Sequence, residues 1–138
     1  MKITIRSAKP EDETTVTTLW RACGLVTQQN DPAADFRFAQ GRETSEVLLG
    51  EDENQTTIGT VMVGHDGHRG WLYYVASSPD ARGVGIGRSL VSAAEAWLRD
   101  RGVLKAQLMV RETNTGVVPF YERLGYETAP RIVMGKWL

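Results

Sequence analysis

Residues 74–90 read YVASSPDARGVGIGRSL, and this stretch is the most informative in the chain because it joins a predicted strand to a glycine-rich helix start. Pro79 marks the turn between the two elements. Gly83, Gly85 and Gly87 lack Cβ atoms, so consecutive backbone N–H groups can converge there, in front of the positive end of the helix dipole. The stretch therefore predicts an anion site, for which a diphosphate is the natural ligand.

Two common phosphate motifs do not fit this spacing. A P-loop needs Gly-Lys-Ser/Thr, whereas Arg88 follows Gly87 here. A dinucleotide fingerprint needs its third glycine at position 88, which is also Arg88. The segment instead resembles the R-x-x-G-x-G/A pyrophosphate loop of the GNAT superfamily, the acetyl-CoA-dependent N-acetyltransferases, with Arg82, Gly85 and Gly87 at the motif positions.

A second block, residues 114–126, reads NTGVVPFYERLGY and resembles the other motif of that family. In that motif an Asn stands seven residues before a Tyr, which is followed by a Glu, a basic residue, an apolar residue, a Gly and an aromatic residue. Every position matches, from Asn114 through Tyr121 to Tyr126. The chain is thus identified as a GNAT member over its whole length. Residues 59–62, 66–70 and 121–126 most resemble the small bacterial YpeA-type acetyltransferases.

Composition agrees with one domain spanning residues 1–138, because 41% hydrophobic residues and a mean hydropathy of -0.30 are ordinary for a globular protein. Sixteen basic and seventeen acidic residues give a net charge of -1, which argues against a nucleic-acid partner. Cys23 is the only cysteine, which favours a reducing compartment. The alternating N-terminal residues do not resemble a leader, and no apolar run could span a membrane. We therefore expect a cytoplasmic protein without membrane association.

Hydrophobic periodicity predicts an alternation of strands and helices. The predicted elements are a strand at Ile3 and Ile5, a helix from Pro10 to Gly24, a helix from Asn30-Asp31-Pro32 with Phe36 and Ala39 inside, a hairpin of Glu46–Gly50 and Thr57–His65, a strand to Ser77, a helix over Gly87–Arg101, a strand over Gln107–Val110, a short helix through Tyr121, and strand material over Tyr126–Leu138. This order is that of the GNAT fold, an α/β (α+β) domain. We expect a mixed, mostly antiparallel sheet of six to seven strands, with a splayed parallel pair and about four helices on its faces.

The resemblance implies how acetyl-CoA is held. In the family, pantetheine lies in the wedge between the splayed strands and pairs with the backbone of the first, which the pyrophosphate loop follows. The implied cofactor-binding residues are Val75, Ala76, Ser77, Arg82, Gly83, Val84, Gly85, Ile86, Gly87, Arg88 and Asn114. Asn114 would reach the pantetheine arm, although helix N-capping is an alternative role for it. A solvated loop charge is the alternative for Arg82.

Tyr121 is the predicted catalytic residue. Thioester aminolysis releases a thiolate, and a phenol of pKa about 10 can donate a hydrogen bond and a proton to a thiol of pKa about 8.5 as it leaves. The structural alternative is a half-buried helix aromatic.

The sequence does not single out one residue as the general base. Some ribosomal-protein acetyltransferases of this superfamily have a Glu at the position of Met109, and its absence counts against that role. Glu112, His65, Asp66 and His68 remain available, as do Tyr73, Tyr74 and water-mediated transfer.

We therefore predict direct acetyl transfer from acetyl-CoA to a primary amine, without a metal or a covalent enzyme intermediate. The acceptor is a small molecule or a protein amine, and residues 24–35 are expected to shape its pocket, as they do in the family. One alternative is a non-catalytic acyl-CoA-binding regulatory module with the same fold. Another is a nucleotide-binding domain, which both motifs oppose. The edge of the predicted final strand can also pair with a second copy, so a homodimer is a further expectation.

Overall fold

The computed structural model describes residues 2–138 and contains five strands, four α-helices and three short 3-10 turns. The strands are β1 (Thr4–Ser7), β2 (Ser45–Glu51), β3 (Thr57–His65), β4 (Gly70–Ser77) and β5 (Ala106–Leu108). The helices are α1 (Glu13–Ala22), α2 (Pro32–Ala39), α3 (Ile86–Arg99) and α4 (Val118–Arg123). The 3-10 turns cover Pro10–Asp12, Pro79–Ala81 and Glu112–Val117.

The five strands form one sheet in sequential order, from β1 at one edge to β5 at the other. The pairs β1–β2, β2–β3 and β3–β4 are antiparallel, whereas β4 and β5 are parallel. A single crossover containing α3 joins the two parallel strands, as their direction requires. The predicted mixed sheet with one parallel pair and four helices is therefore confirmed.

Hydrophobic cores cover both faces of the sheet. On one face, Trp20 of α1 and Phe36 of α2 are buried against Val47 and Leu49 of β2. On the other face, α3 packs its apolar stripe against β3 and β4, with Leu90 fully buried. The predicted helical periodicity in both segments is confirmed, because each helix needs one apolar face to cover the sheet.

Two glycines let α3 approach the sheet closely. A Cβ atom built on Gly59 of β3 would lie 2.7 Å from side-chain atoms of both Ile86 and Leu90. Gly50 of β2 also faces Ile86. The first turn of α3 is consequently seated directly on β2 and β3, and this fixes the direction in which the helix N-terminus points.

The predicted final strand is wrong: residues 126–138 contain no strand, and the sheet has five strands rather than six to seven. Ile132, Val133 and Met134 are 91, 66 and 90% exposed, so these successive residues do not provide the one buried face that a sheet strand needs. Pro130 also removes a backbone donor. The edge strand β5 pairs over only three residues and ends at Leu108, earlier than the predicted Val110, so it offers little ladder for another strand.

Candidate active site

The parallel strands separate after a short pairing. Residues 70–72 of β4 pair with residues 106–108 of β5, and β4 then continues to Ser77 without a β5 partner. The two strands therefore diverge towards their C-terminal ends. This is the wedge that the sequence motifs predicted, and the later half of β4 forms one of its walls.

A β-bulge frees part of that wall from its other neighbour as well. Tyr74 and Val75 have no partner in the β3 register, which passes from Met62–Tyr73 to Thr60–Ala76. Tyr74 adopts a φ of 50°, a conformation that non-glycine residues rarely take. Val75 consequently has no register partner on either β3 or β5.

The other two predicted residues of β4, Ala76 and Ser77, already have partners within the protein. Ala76 is 2% exposed and is paired with Thr60, so its side chain belongs to the core. The Ser77 carbonyl accepts a hydrogen bond from the Cys23 thiol at 3.2 Å. This bond holds the C-terminal end of α1 beside the wedge.

The glycine-rich segment has the backbone of an anion site. Gly83 and Gly85 have φ values of 87° and 82°, and Gly85 is the N-cap residue of α3. A Cβ on either glycine would meet no atom within 4 Å, so the space around them is open. Among the hydrogen bonds within residues 2–138, none has a donor from the backbone N–H groups of residues 83–88. These donors point to a ligand or to water, at the positive end of a 14-residue helix.

The charges near the loop favour an anion. Arg82 and Arg88 are not buried, and neither forms an ion pair with any carboxylate in residues 2–138. The first turn of α3 contains no acidic residue. Ile86 is 2% exposed, whereas Val84 is 39% exposed, so Ile86 can contribute only backbone to a ligand.

Phe120 connects α4 with this loop, and the sequence prediction missed it. A Cβ on Gly87 would lie 3.2 Å from the Phe120 ring and 3.7 Å from Ser77 Oγ. The missing side chain at Gly87 therefore lets the ring, the helix start and the end of β4 come together. Phe120 directly precedes Tyr121, whose motif position was the available signal.

Tyr121 is half-buried on α4 and contacts two aromatic rings edge to face, those of Phe120 and Tyr126, at centroid distances of 5.0 and 6.0 Å. Burial raises the pKa of its phenol. The hydroxyl is therefore protonated at neutral pH, which is the state that a proton donor requires. Tyr126 anchors the end of α4 because its hydroxyl donates a 2.7 Å hydrogen bond to Glu95 of α3.

Asn114 lies in the 3-10 turn before α4 with a non-helical φ of -123°. The N-cap of α4 is Val117, so the alternative role of Asn114 as that cap is wrong. Its exposed side chain is free to reach a ligand. Glu112 is exposed two residues earlier in the same turn.

The hairpin candidates for the general base lie at the other end of β4. His65, Asp66 and His68 surround the β3–β4 turn, roughly 20 Å of strand away from Ser77. Asp66 accepts hydrogen bonds from the backbone of His68 and Arg69, which lower its pKa. His65 Nδ1 accepts from Gly67. These contacts stabilise the turn, and the structure does not bring these residues to the wedge.

A cavity of about 1300 Å³ does not coincide with the predicted site. It lies between α3, β5, α4 and residues 127–133, and its lining includes Tyr121 and the general-base candidate Glu112. This space adjoins the open edge of β5, where the predicted final strand would have packed. We attribute the cavity to that unfilled edge, because the backbone donors that suit a diphosphate lie elsewhere.

A polar group on the opposite face of β4 was also not predicted. The Tyr74 hydroxyl donates a 2.7 Å hydrogen bond to Asp35 Oδ2 and accepts one of 3.3 Å from Asn30 Nδ2. Its ring stacks on Trp20 at 3.8 Å. Burial and the Asp35 carboxylate raise the pKa of Tyr74 to about 12. The sequence analysis expected residues 24–35 to shape the acceptor pocket, but it did not predict their contact with Tyr74, because the bulge that turns Tyr74 to this face has no sequence signal.

Comparison with known proteins agrees with this geometry. A model described as the acetyltransferase (GNAT) family matches residues 14–126. An acetyltransferase of Pectobacterium atrosepticum is 42% identical over 134 residues, which cover 97% of this chain and 94% of that protein. The chain therefore belongs to the GNAT acetyltransferase family.

Two solved structures show the same fold at low identity. AAC(6')-Iy, in complex with the bisubstrate analogue CoA-S-monomethyl-acetylneamine, has a TM-score of 0.83 at 15% identity, covering 100% of this chain and 99% of that one. A predicted acetyltransferase of Clostridium acetobutylicum, solved with acetyl-CoA, has a TM-score of 0.78 at 15% identity and covers 98% of this chain and 96% of its own. These comparisons confirm the predicted family and fold. They also confirm the prediction of an acetyltransferase that uses acetyl-CoA. Among residues 2–138, no helix has the length and apolar character needed to cross a bilayer.

Proposed function

We propose that this acetyltransferase moves an acetyl group directly from acetyl-CoA to a primary amine, with residues 75–77, 82–88 and 114 holding the cosubstrate and Tyr121 as the catalytic residue. The observation that carries the proposal is the row of backbone donors at residues 83–88 beside the part of β4 that has no partner on β5. Free donors at a helix start suit a pyrophosphate, and an unpaired strand suits the amide groups of pantetheine. When bound, acetyl-CoA supplies an activated acyl group.

The protein's own groups divide the work between binding and proton transfer. The Val75 backbone pairs with the ligand, and Arg82 and Arg88 add positive charge near the diphosphate. Asn114 provides an amide side chain to the pantetheine arm. Tyr121 donates its proton to the departing sulfur, and its buried phenol remains protonated up to alkaline pH because its pKa is raised.

Three further expectations concern domain number, cellular location and oligomeric state. We propose that residues 1–138 act as one domain in the cytoplasm, which the single cysteine favours. We also propose a homodimer in which a second copy covers the exposed apolar residues Ile132, Met134 and Trp137. A molecular mass equal to one chain at all concentrations would contradict the dimer.

Thermal unfolding with and without acetyl-CoA tests the proposed function, with ATP and NAD as controls. We expect acetyl-CoA to raise the melting temperature, because a ligand that binds only the folded state stabilises it. Gly85→Glu should abolish this increase, since it puts a negative charge and a strained side chain at the helix start. A larger increase with ATP or NAD than with acetyl-CoA would contradict the proposal.

The same experiment on Tyr121→Phe separates an enzyme from a non-catalytic acyl-CoA-binding module. We expect this variant to keep the acetyl-CoA-dependent increase while losing acetyl transfer. Wild-type protein that binds acetyl-CoA but transfers no acetyl group to any amine tested would favour the regulatory module.

A further inference from the structure

We propose that Asp35 is the specificity-determining residue that binds the ammonium group of the acceptor, and that Tyr74 and Asn30 position it. The acceptor is then a cationic aliphatic amine rather than a neutral one. This inference rests on the proposed function, because it assigns the second substrate of the same reaction. It is carried by the unused hydrogen-bonding atoms of these three side chains.

The bonds within the group leave two oxygen acceptors free. Asp35 Oδ2 is used by the Tyr74 hydroxyl, whereas Asp35 Oδ1 has no hydrogen-bond partner in residues 2–138. Asn30 donates through Nδ2 to Tyr74, and its side-chain Oδ1 is also unpartnered within that range. Neither oxygen is buried away from solvent, since no buried side-chain oxygen of the described residues lacks a partner. An ammonium group has three donors, so it matches two such acceptors and water.

The charge of the group also selects a cation. Asp35 forms no ion pair in residues 2–138, although Arg37 on the same helix pairs with Glu13 at 2.7 Å. Arg111 is the cation whose charge reaches the Tyr74 hydroxyl, but it is exposed and does not pair with Asp35. A carboxylate that is half-buried, hydrogen-bonded and unpaired gains from a cationic ligand.

The position of the group connects it with the acetyl donor. Tyr74 directly precedes Val75, which has no register partner on β3 or β5 and lies in the wall of the wedge. The phenol points from this junction to α2, where Asp35 lies in the first turn. The Trp20 stack at 3.8 Å and a φ of 50° fix the ring in that direction. Asp35 is thereby held next to the strand that binds the donor but outside the donor's own contacts.

The test titrates ¹⁵N-labelled protein with n-butylamine, an ammonium ion at pH 7, and observes backbone amide signals by NMR. n-Butanol at the same concentration and ionic strength is the neutral control. We expect butylamine, and not butanol, to shift the signals of Asn30, Asp35 and Tyr74. Asp35→Asn keeps the side-chain shape and should weaken this binding by about 10-fold or more, since a charge-assisted bond is lost.

Two further variants keep the result interpretable. Tyr74→Phe should weaken butylamine binding by roughly 3-fold, because it frees Asp35 without removing its charge. Glu11→Gln removes an exposed carboxylate elsewhere and should change nothing. Equal butylamine binding by Asp35→Asn and wild type, or the absence of shifts at all three residues, would overturn the proposal.

The acetyl-CoA melting experiment separates this inference from the proposed function. Butylamine binding at Asp35 without any stabilisation by acetyl-CoA would contradict the proposed function while leaving an ammonium site in place. With an active enzyme, Asp35→Asn should raise KM for cationic amines and leave KM for acetyl-CoA unchanged. A merely structural role for Asp35 would instead lower the melting temperature without changing the ratio of the two KM values.

Discussion

The two halves of the candidate site are built in different ways. The centre of the proposed donor half is one continuous segment, residues 82–88, which offers backbone N–H groups at a helix start. The proposed acceptor half joins Asn30 and Asp35 at the start of α2 with Tyr74 of β4, and its functional atoms are side-chain oxygens. Backbone recognition therefore leaves a local motif in the chain, whereas side-chain recognition across the fold leaves none.

The two halves should also differ in what they select. In the proposed function, backbone donors recognise the diphosphate that every acyl-CoA carries, so we expect them to tolerate changes in nearby side chains. The Asp35 oxygens recognise one charge type, so they depend on a few atoms. Substitutions that affect one half and spare the other can separate these two modes of recognition.

Tyr121→Phe should lower kcat about 100-fold, because general acid catalysis contributes at least that much when it assists a departing group. The loss should be the same for every amine acceptor, since the residue acts on the donor. Steady-state kinetics with two amines of different size measures it. A loss of kcat that varies strongly between acceptors would indicate that Tyr121 acts on the acceptor rather than on the donor.

Thr60→Val should lower the free energy of unfolding by about 1–3 kcal/mol, because it leaves buried groups without partners. The Thr60 hydroxyl accepts from Trp20 Nε1 at 2.9 Å and donates to the Tyr74 carbonyl at 3.1 Å. Urea unfolding measures the change, and Thr60→Ser is the control that keeps the hydroxyl.

Because the Thr60 hydroxyl bonds to the Tyr74 carbonyl, Thr60→Val should also raise KM for the amine but not for acetyl-CoA. An equal rise in both would show that the halves are coupled through β3.

Gly85→Ala should raise KM for acetyl-CoA about 10-fold, whereas Gly24→Ala should not change it. Both glycines have positive φ, 82° and 70°, and an added Cβ would meet open space at either position, so the backbone strain is similar. Only Gly85 starts the helix that faces the diphosphate. Steady-state kinetics and melting temperatures of the two variants separate backbone strain from ligand contact. Equal KM values for acetyl-CoA in the two variants would show that Gly85 does not contact the donor.

Arg82→Gln should raise KM for acetyl-CoA only about 3-fold, because an exposed charge contributes little next to backbone donors. The effect should shrink further at high salt, since exposed charges are screened. Measurement of KM at two salt concentrations checks this. A loss above about 30-fold would mean that side-chain charge, and not the backbone, dominates the donor half.

Much of the fold followed from local patterns. The apolar spacing of α3, the helix start at Asn30-Asp31-Pro32 and the turns at both hairpins were predicted from a few neighbouring residues. The predicted final strand was wrong, because an apolar segment becomes a strand only where a long enough sheet edge is available. β5 ends at Leu108, so Ile132 and Met134 remain exposed.

The site residues show the same difference between local patterns and tertiary contacts. Arg82, Gly85, Asn114 and Tyr121 were identified from motifs, since each motif is continuous in the chain. Phe120 was missed because its importance comes from the empty space at Gly87, which belongs to a different helix.

The family, the order of elements as far as α4 and the glycine-rich start of α3 could all be inferred from the amino-acid sequence, because glycine backbone freedom and helix periodicity act over short distances. The length of the β4–β5 pairing, the bulge at Tyr74 and the meeting of Tyr74 with Asp35 emerged only from the folded chain. Those features arise from contacts between residues 39 positions apart or between strands separated by a whole helix. No local pattern records which side chains such contacts bring together.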